Sequence, residues 1–365
     1  MLRRASRLAV RGHGGAEPNP LVGCLIASAA GDIVGSGFHR QCGQAHAEIH
    51  ALRAAGERAR GATAFVTLEP CNHTGRTGPC TEALIAAGIA RIVIGRRDPH
   101  PLAAGGAERL RDAGIRVDIV DDDPLVTAVS DPFVRRLATG LPWVVAKWAQ
   151  TLDGRIATRT GVSRWISGER SRRLVHRERG RVDAILTGIG TVFADDPMLT
   201  ARDVPVRRIA RRVIVDPKLQ IPLETRLVTT ARQIPTTIAC RDTMLAAADP
   251  RAGQLADAGV ELIGLPHGDE PVPLAPLLRM LVARHDVTNV LVEAGAGLLG
   301  ALFHQRLVNE AWVFIAPLLL GDDEAMPAVR GLVAPGLADA ARLRLVSKRQ
   351  RGEDIVLRYR VGDEA

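Results

Sequence analysis

The sequence predicts an α/β protein of two domains in tandem. The chain has 365 residues, against the roughly 100–200 of an ordinary domain. Short apolar runs alternate with helical patterns through both halves, at spacings that demand crossover connections and a sheet that is mixed or largely parallel. Thr139-Gly140-Leu141-Pro142 then breaks the alternation with turn-forming residues just before an apolar run resumes at Trp143. The boundary falls there, giving domains of residues 1–141 and 142–365. At 46% hydrophobic and 24% charged residues, the composition is an ordinary globular balance that can fill two cores.

In the first domain, 21–27 reads as a buried strand and 31–37 as a turn and short strand. A helix over 45–56 is ended by Gly56. Strand 63–68, helix 81–88, strand 91–95, helix 104–114 and strand 115–120 follow, then an acidic turn, Asp121-Asp122-Asp123, and a helix over 125–138. In the second domain a strand over 143–148 leads to strands at 184–187, 212–215, 236–239, 261–265, 290–293, 311–315 and 355–361. The last alternates polar and apolar residues, as an antiparallel edge strand does.

No apolar run reaches the ~20 residues of a membrane span. Met1-Leu2-Arg3-Arg4-Ala5-Ser6-Arg7 is not followed by a signal-peptide core. The expectation is a cytoplasmic protein with no membrane partner. A net charge of +8 invites a nucleic-acid partner. Against it, the basic residues are spread along the whole chain and aromatics make up only 3%, too few for a base-stacking platform. The five cysteines are odd in number and widely spaced, which is no disulfide framework. Cys24, Cys42 and Cys240 read as buried small hydrophobes.

Chemistry concentrates between His46 and Cys80. His46-Ala47-Glu48 opens a helix, and Pro70-Cys71 and Cys80 follow the next strand. One imidazole and two thiolates satisfy three positions of a tetrahedral zinc, and the fourth takes water, whose pKa falls to about 7. Glu48 is then free to carry protons rather than bind metal. On an ideal helix i and i+2 point far apart, so His46 and Glu48 share a site only over the helix's first turn. The pattern is that of zinc deaminases. A zinc-protease helix is excluded because the glutamate falls two places after His46, not one, and His50 reads as a solvated or packed residue. A structural zinc knuckle would need a fourth protein ligand.

Eight residues, Asn72 to Pro79, separate the two cysteines, where the commonest deaminase pattern has two. Their glycines, threonines and arginine suit an oxyanion such as a phosphate. The run Pro70-Cys71-Asn72-His73-Thr74-Gly75-Arg76-Thr77-Gly78-Pro79-Cys80, with His46-Ala47-Glu48 and Pro18-Asn19-Pro20-Leu21-Val22-Gly23-Cys24, closely resembles the bifunctional riboflavin-biosynthesis deaminase-reductases. Gly78 stands where most of that family has proline. Asn19, held extended between prolines, reads either as a turn residue or as an amide facing a pyrimidine edge. His39 reads on its own as a surface histidine. The resemblance implies that Asn19, His39, His73 and Arg76 line the substrate pocket.

Gly295-Ala296-Gly297-Leu298-Leu299-Gly300 follows a strand and opens a helix, a spacing suited to a pyrophosphate. It lies too late in the chain for a Rossmann domain, which begins with such a loop. The segments 147–155, 163–166, 191–200 and 292–295 resemble the reductase half of the same family. That resemblance implies a cytidine-deaminase-like first domain and a dihydrofolate-reductase-like second domain using NADPH. It places Ala149, Trp165, Thr191, Asp195 and the loop Gly295, Ala296, Gly297, Leu298, Leu299, Gly300 and Ala301 against the cofactor. Ser163, Arg179, Leu199, Arg202 and Glu293 fall against the substrate. Arg179 and Arg202 fit bidentate phosphate clamps. Lys147 and Asp195 are candidates for proton delivery, or else form a structural ion pair.

The function implied has two steps, with zinc and NADPH as cofactors. The 2-amino group of 2,5-diamino-6-ribosylamino-4(3H)-pyrimidinone 5′-phosphate is hydrolysed, and the ribosyl chain is then reduced to ribityl, giving 5-amino-6-ribitylaminouracil 5′-phosphate. The partner is thus a small pyrimidine ribosyl phosphate and not a nucleic acid, and the assembly expected is a homo-oligomer, a dimer or tetramer. The rivals are a deaminase of bases in RNA or DNA, and a lone reductase carrying a structural zinc module.

Overall fold

The structure is a computed structural model that describes residues 1–74, 78–246, 250–266, 272–332 and 334–362. The chain divides into two compact units, Met1–Gly140 and Leu141–Ala365.

The first unit is a five-stranded sheet in the order β2-β1-β3-β4-β5, formed by β1 (Gly23–Ala27), β2 (Ile33–Phe38), β3 (Thr63–Val66), β4 (Arg91–Ile94) and β5 (Arg116–Ile119). The sheet is mixed: β1 runs antiparallel to β2 and β3, while β3, β4 and β5 are parallel. Helices α2 (Ala47–Ala55), α3 (Cys80–Ala86) and α4 (Gly106–Asp112) share a core with one face through Ile26, Ala51, Ala64, Leu84, Ile92 and Leu110. Phe65 and Val93, alternating with Ala64 and Ile92, point to the other face. There they meet Leu2 of α1 (Leu2–Ala9) and Val126 of α5 (Pro124–Thr127). α1 buries Leu2, Ala5, Ser6 and Ala9, a helical stripe that the sequence reading passed over. Gly37 fixes how closely α2 lies on the sheet: a Cβ there would stand 2.3 Å from the Ala47 carbonyl oxygen.

The single helix expected over 125–138 is two, α5 and α6 (Asp131–Thr139). Pro132 sits in the first turn of α6, and a proline both lacks the N–H a continuous helix needs and disfavours helical backbone before it.

The second unit holds a nine-stranded sheet in the order β11-β10-β9-β8-β12-β6-β13-β16-β15. Its strands are β6 (Trp143–Gln150), β8 (Ala184–Gly188), β9 (Arg211–Val215), β10 (Thr236–Arg241), β11 (Glu261–Leu265), β12 (Asn289–Val292), β13 (Glu310–Ile315), β15 (Leu343–Arg351) and β16 (Asp354–Val361). The seven from β11 to β13 are parallel. A small ribbon pairs β7 (Arg155–Ala157) with β14 (Met326–Pro327). On one face α12 (Leu274–His285) and α13 (Ala296–His304) pack Leu277, Leu281, Leu299 and Leu302 against Val144 and Leu186. On the other, α7 (Glu169–Arg179), α9 (Arg226–Thr229) and α11 (Pro250–Asp257) contribute Val175, Leu227 and Leu255 beside Val145, Ile185 and Ile214. The remaining helices are α8 (Ile189–Asp195), directly after β8, and α10 (Asp242–Ala246).

The strand expected at 355–361 is antiparallel as read, but it is not an edge. It pairs with β13 on one side and with β15 on the other. β15, Leu-Arg-Leu-Val-Ser-Lys-Arg-Gln-Arg, is exposed along most of its length, so it carries no burial pattern from which to read it.

Candidate active sites

In the first unit three helix and strand ends converge. His46 is the N-cap of α2 in extended backbone, Cys71 lies in the loop after β3, and Cys80 is the first residue of α3. The His46 Nδ1 is 3.5 Å from Cys71 Sγ and 3.3 Å from Cys80 Sγ, and the three atoms all lie within 4.8 Å of one another. Tetrahedral zinc, bound at about 2.1 Å by nitrogen and 2.3 Å by sulfur, separates its ligand atoms by roughly 3.6–3.8 Å, so the donor set fits that ion. Hydrogen bonding to Cys80 and to His46 outweighs burial and draws the Cys71 thiol down to about 4, the thiolate a metal takes. The Cys80 thiol is raised by its hydrogen bond to Cys71 and by burial, so without metal the pair keeps its proton there.

Glu48 stands in the first turn of α2, where His46 and Glu48 can face one site, and is 3% exposed. Burial pushes its carboxyl up to about 7, and its Oε2 is buried with no hydrogen-bond partner. His50, one turn on, packs over Gly37 and stays outside the ligand cluster.

His39 is not a surface residue: it is 2% exposed. Its ring stands edge-on to that of His46 at 5.1 Å. Burial lowers its pKa to about 4. The neutral ring contacts the Ala45 carbonyl through Nδ1 at 3.3 Å and the Asn19 Nδ2 through Nε2 at 3.2 Å. Asn19 must donate there, so His39 carries its proton on Nδ1, and the Asn19 carbonyl is left for another partner. His73 is exposed on the loop between the cysteines. Arg76 lies outside the described residues. Cys24 and Cys240 are fully buried, while Cys42 is only partly so.

The sequence reading missed Glu69. Its buried carboxylate accepts from the backbone N–H of Asp98 at 3.1 Å and of Ala107 at 2.8 Å, tying the chain just before Pro70-Cys71 to the start of α4. Its place two residues before Cys71 was the available signal.

In the second unit β6, α7 and the end of β12 bring Lys147, Arg179 and Glu293 together, each at most 16% exposed. Arg179 grips Glu293 with both arms, at 2.5 and 2.9 Å, and Lys147 Nζ lies 3.6 Å from the same carboxylate. Burial alone would raise the Glu293 carboxyl, but Arg179 and Lys147 overcome it and hold it at about 2. Burial lowers the Lys147 pKa, against the pull of Glu293. The fork of Arg179 is therefore filled by a carboxylate rather than open as a phosphate clamp, while Arg202 is exposed. Lys147 and Asp195 do not pair with each other: Asp195 is held by Arg164, at 3.1 Å to Oδ1 and 2.7 Å to its backbone carbonyl.

Gly295 caps α13, and a Cβ on it would stand 3.9 Å from Thr191 Oγ1, so the glycine loop and the start of α8 are neighbours. A Cβ at Gly297 would meet nothing within 4 Å. An open helix N-terminus of this kind fits a pyrophosphate. Leu299 is buried in the core and Gly300 lies against the Arg330 backbone, which leaves the first turn of α13 to face a ligand. Trp165 is 65% exposed, with Arg172 over its ring at 4.5 Å. Ala149 and Ser163 are partly buried. The Leu199 side chain is buried in the core, so only its backbone is left to meet a substrate.

A deaminase-type metal site on one unit and, on the other, a buried Lys147–Arg179–Glu293 cluster two residues from an open glycine loop at a helix start fit a zinc-dependent deaminase joined to a reductase. Residues 1–96 match the cytidine and deoxycytidylate deaminase zinc-binding region, and 142–357 match the RibD C-terminal domain. The chain is 39% identical to the riboflavin biosynthesis protein RibD of Escherichia coli, over 98% of this chain and 97% of that one. To the Aquifex aeolicus protein it is 36% identical, over 98% and 97%. RibD of Acinetobacter baumannii superposes with a TM-score of 0.82 at 37% identity, over 99% of this chain and 98% of the other. A diaminohydroxyphosphoribosylaminopyrimidine deaminase/5-amino-6-(5-phosphoribosylamino)uracil reductase of Thermotoga maritima does so at 0.82 and 30%, over 99% and 97%. The chain belongs to the RibD family of bifunctional riboflavin-biosynthesis enzymes. It is a hydrolase and an oxidoreductase, with zinc and NADPH as cofactors. Its fold class is a cytidine-deaminase-like domain followed by the dihydrofolate-reductase-like domain of that family.

Proposed function

We propose that residues 1–141 deaminate 2,5-diamino-6-ribosylamino-4(3H)-pyrimidinone 5′-phosphate and that residues 142–365 reduce the product to 5-amino-6-ribitylaminouracil 5′-phosphate. The observation that carries this reading is the orphaned, buried Glu48 oxygen beside three ligand atoms that lie within 4.8 Å of one another.

In deamination His46, Cys71 and Cys80 would hold zinc, which when bound would activate water at neutral pH. The Glu48 carboxylate takes a proton at its unpartnered oxygen and returns it to the departing amine, so that water and the amino group leave as a ring carbonyl and ammonia. Asn19, fixed by His39, turns its amide carbonyl to the pyrimidine edge, and His73 and Arg76 take the phosphate side.

In reduction the cleft would hold NADPH, which when bound would supply the hydride for C1′. Lys147 delivers the proton to the ring oxygen that leaves that carbon. Its lowered pKa and its place beside Glu293 suit that role. Asp195, already engaged by Arg164, serves the cofactor better than the proton. Thr191, Ala149, Trp165 and the Gly295–Ala301 loop complete the cofactor cleft, with Ser163, Leu199 and Arg202 on the substrate side. Arg179 acts through Glu293.

Among the described residues no helix is long and apolar enough to cross a membrane, which supports a cytoplasmic enzyme. Exposed Leu345 and Val346 on the outermost strand support a homo-oligomer, dimer or tetramer, which sedimentation would show.

The test adds the diaminopyrimidine ribosyl phosphate and NADPH to the zinc-loaded chain and follows ammonia and NADPH together. Oxidation accompanied by ammonia is expected. The absence of both signals would overturn the reading, and ammonia without oxidation would overturn its second half.

A further inference from the structure

Between α8 and β9 three residues other than glycine stand in the left-handed region: Asp196 (φ 38), Leu199 (φ 51) and Asp203 (φ 57). Left-handed backbone is disfavoured for a residue with an apolar branched side chain such as Leu199, and such strain persists only where the surroundings impose it. The segment begins at Asp195 and contains Leu199 and Arg202, all proposed contacts of the reductase site.

Two grips hold it. At its start Asp196 accepts from Arg226, backbone N to Oδ1 at 2.9 Å and Nε to Oδ2 at 3.1 Å, and a third bond joins the Arg226 guanidinium to the Asp196 carbonyl. Further along, the carbonyl of Thr200 receives two donors, His176 Nδ1 and Arg179 Nη1, each at 3.2 Å. A carbonyl oxygen has two lone pairs, and both are used. Arg179 is the same guanidinium that holds Glu293, so the strained turn is fastened to the buried ion cluster at the centre of the site.

We propose that His176 and Arg226 are positioning residues of the reductase: they clamp the 196–200 turn from its two ends and so set where Asp195, Leu199 and Arg202 meet cofactor and substrate. This rests on the reductase reading given above. Neither side chain needs to touch a ligand. The benefit is geometric: a turn already held in its bound conformation spares the ordering cost that cofactor and substrate would otherwise meet on binding.

The test compares H176L, H176N, R226A and the unaltered chain. Reduction of the deaminated ribosyl phosphate is followed for KM and kcat, with ammonia release and thermal midpoint as controls, and amide exchange is measured across 197–203. In H176L, KM is expected to rise about tenfold with kcat within about threefold. H176N, whose amide can still donate to Thr200, should recover most of the loss. R226A should show a smaller rise, and exchange of the segment should quicken in both H176L and R226A without change in the first unit. Unaltered KM or unaltered exchange would overturn the clamp. So would a parallel fall of kcat, ammonia release and thermal midpoint, which marks general destabilisation. A wild-type chain that releases ammonia but oxidises no NADPH would overturn the reductase reading and this role with it, whereas an active wild type with indifferent variants would overturn this role alone.

Discussion

Glu48 and Glu293 are both nearly sealed from solvent, yet they sit at opposite ends of the carboxylate range. Glu48 has an oxygen with no partner and is raised to about 7 by burial. Glu293 is equally desolvated, but Arg179 and Lys147 reverse the outcome and hold it at about 2. Burial sets the cost of a charge, and the neighbours decide whether that cost is met. A carboxylate left unmet near neutrality is suited to pick up and release a proton. One met twice over is a fixed anion that orders cations around it.

The comparison breaks most visibly in activity. E48Q should lower ammonia release by about a hundred- to ten-thousandfold, with zinc content retained by metal analysis and NADPH oxidation on pre-deaminated substrate unchanged. Undiminished release would remove Glu48 from the proton path. In stability the order inverts. E293Q leaves Arg179 and Lys147 buried without the carboxylate that faces them both and should cost about 3–5 kcal/mol, whereas E48Q removes a group raised by burial and should leave the thermal midpoint unchanged or higher. Equal effects in a melting experiment would erase the contrast.

Acid sharpens it further. The Glu293 pKa is depressed on folding, from an ordinary value of about 4.3 to about 2. Its contribution is therefore complete above about pH 4.3 and disappears as pH falls through about 2, on the order of 3 kcal/mol in all. Denaturant midpoints recorded from pH 5 to 2 should fall for the wild type, and E293Q should flatten that slope. A smaller effect is expected of G297D, which places a carboxylate at the open first turn of α13. NADPH affinity should drop by about tenfold in a fluorescence titration while ammonia release stays the same, and unchanged affinity would mean the loop is only a turn.

The metal site was legible because its ligands fall within one stretch of chain and zinc permits few residue types. The helix-start argument, that i and i+2 share a site only over the first turn, is what His46 and Glu48 do. The strand order of the first unit followed less directly, and α1 was passed over because its buried stripe of small residues was read only for targeting. In the second unit periodicity located every strand of the large sheet but β15 and missed the β7–β14 ribbon, and nothing in it announced that Arg179 faces Glu293 across more than a hundred positions of sequence; an arginine in so arginine-rich a chain has no local mark of burial. The pairing of the exposed β15 with β16 and the enclosure of His39 were hidden for the same reason: each depends on what another part of the chain places beside it.

The sheet orders also set a timetable for synthesis. Every strand of the first unit lies between Gly23 and Ile119, and its metal-binding side chains between His46 and Cys80. That unit can close while the ribosome is still extending the chain, since domains fold largely as units from the N-terminus. β6 is the first strand made of the second unit, but its neighbours β12 and β13 are among the last of the parallel set. Its apolar Val144, Val145 and Ala146 therefore wait, unpaired, until β12 has emerged at Val292. The deaminase half is complete at birth, while the reductase half passes through a vulnerable interval in which a nascent-chain chaperone would find its first substrate at Trp143–Gln150.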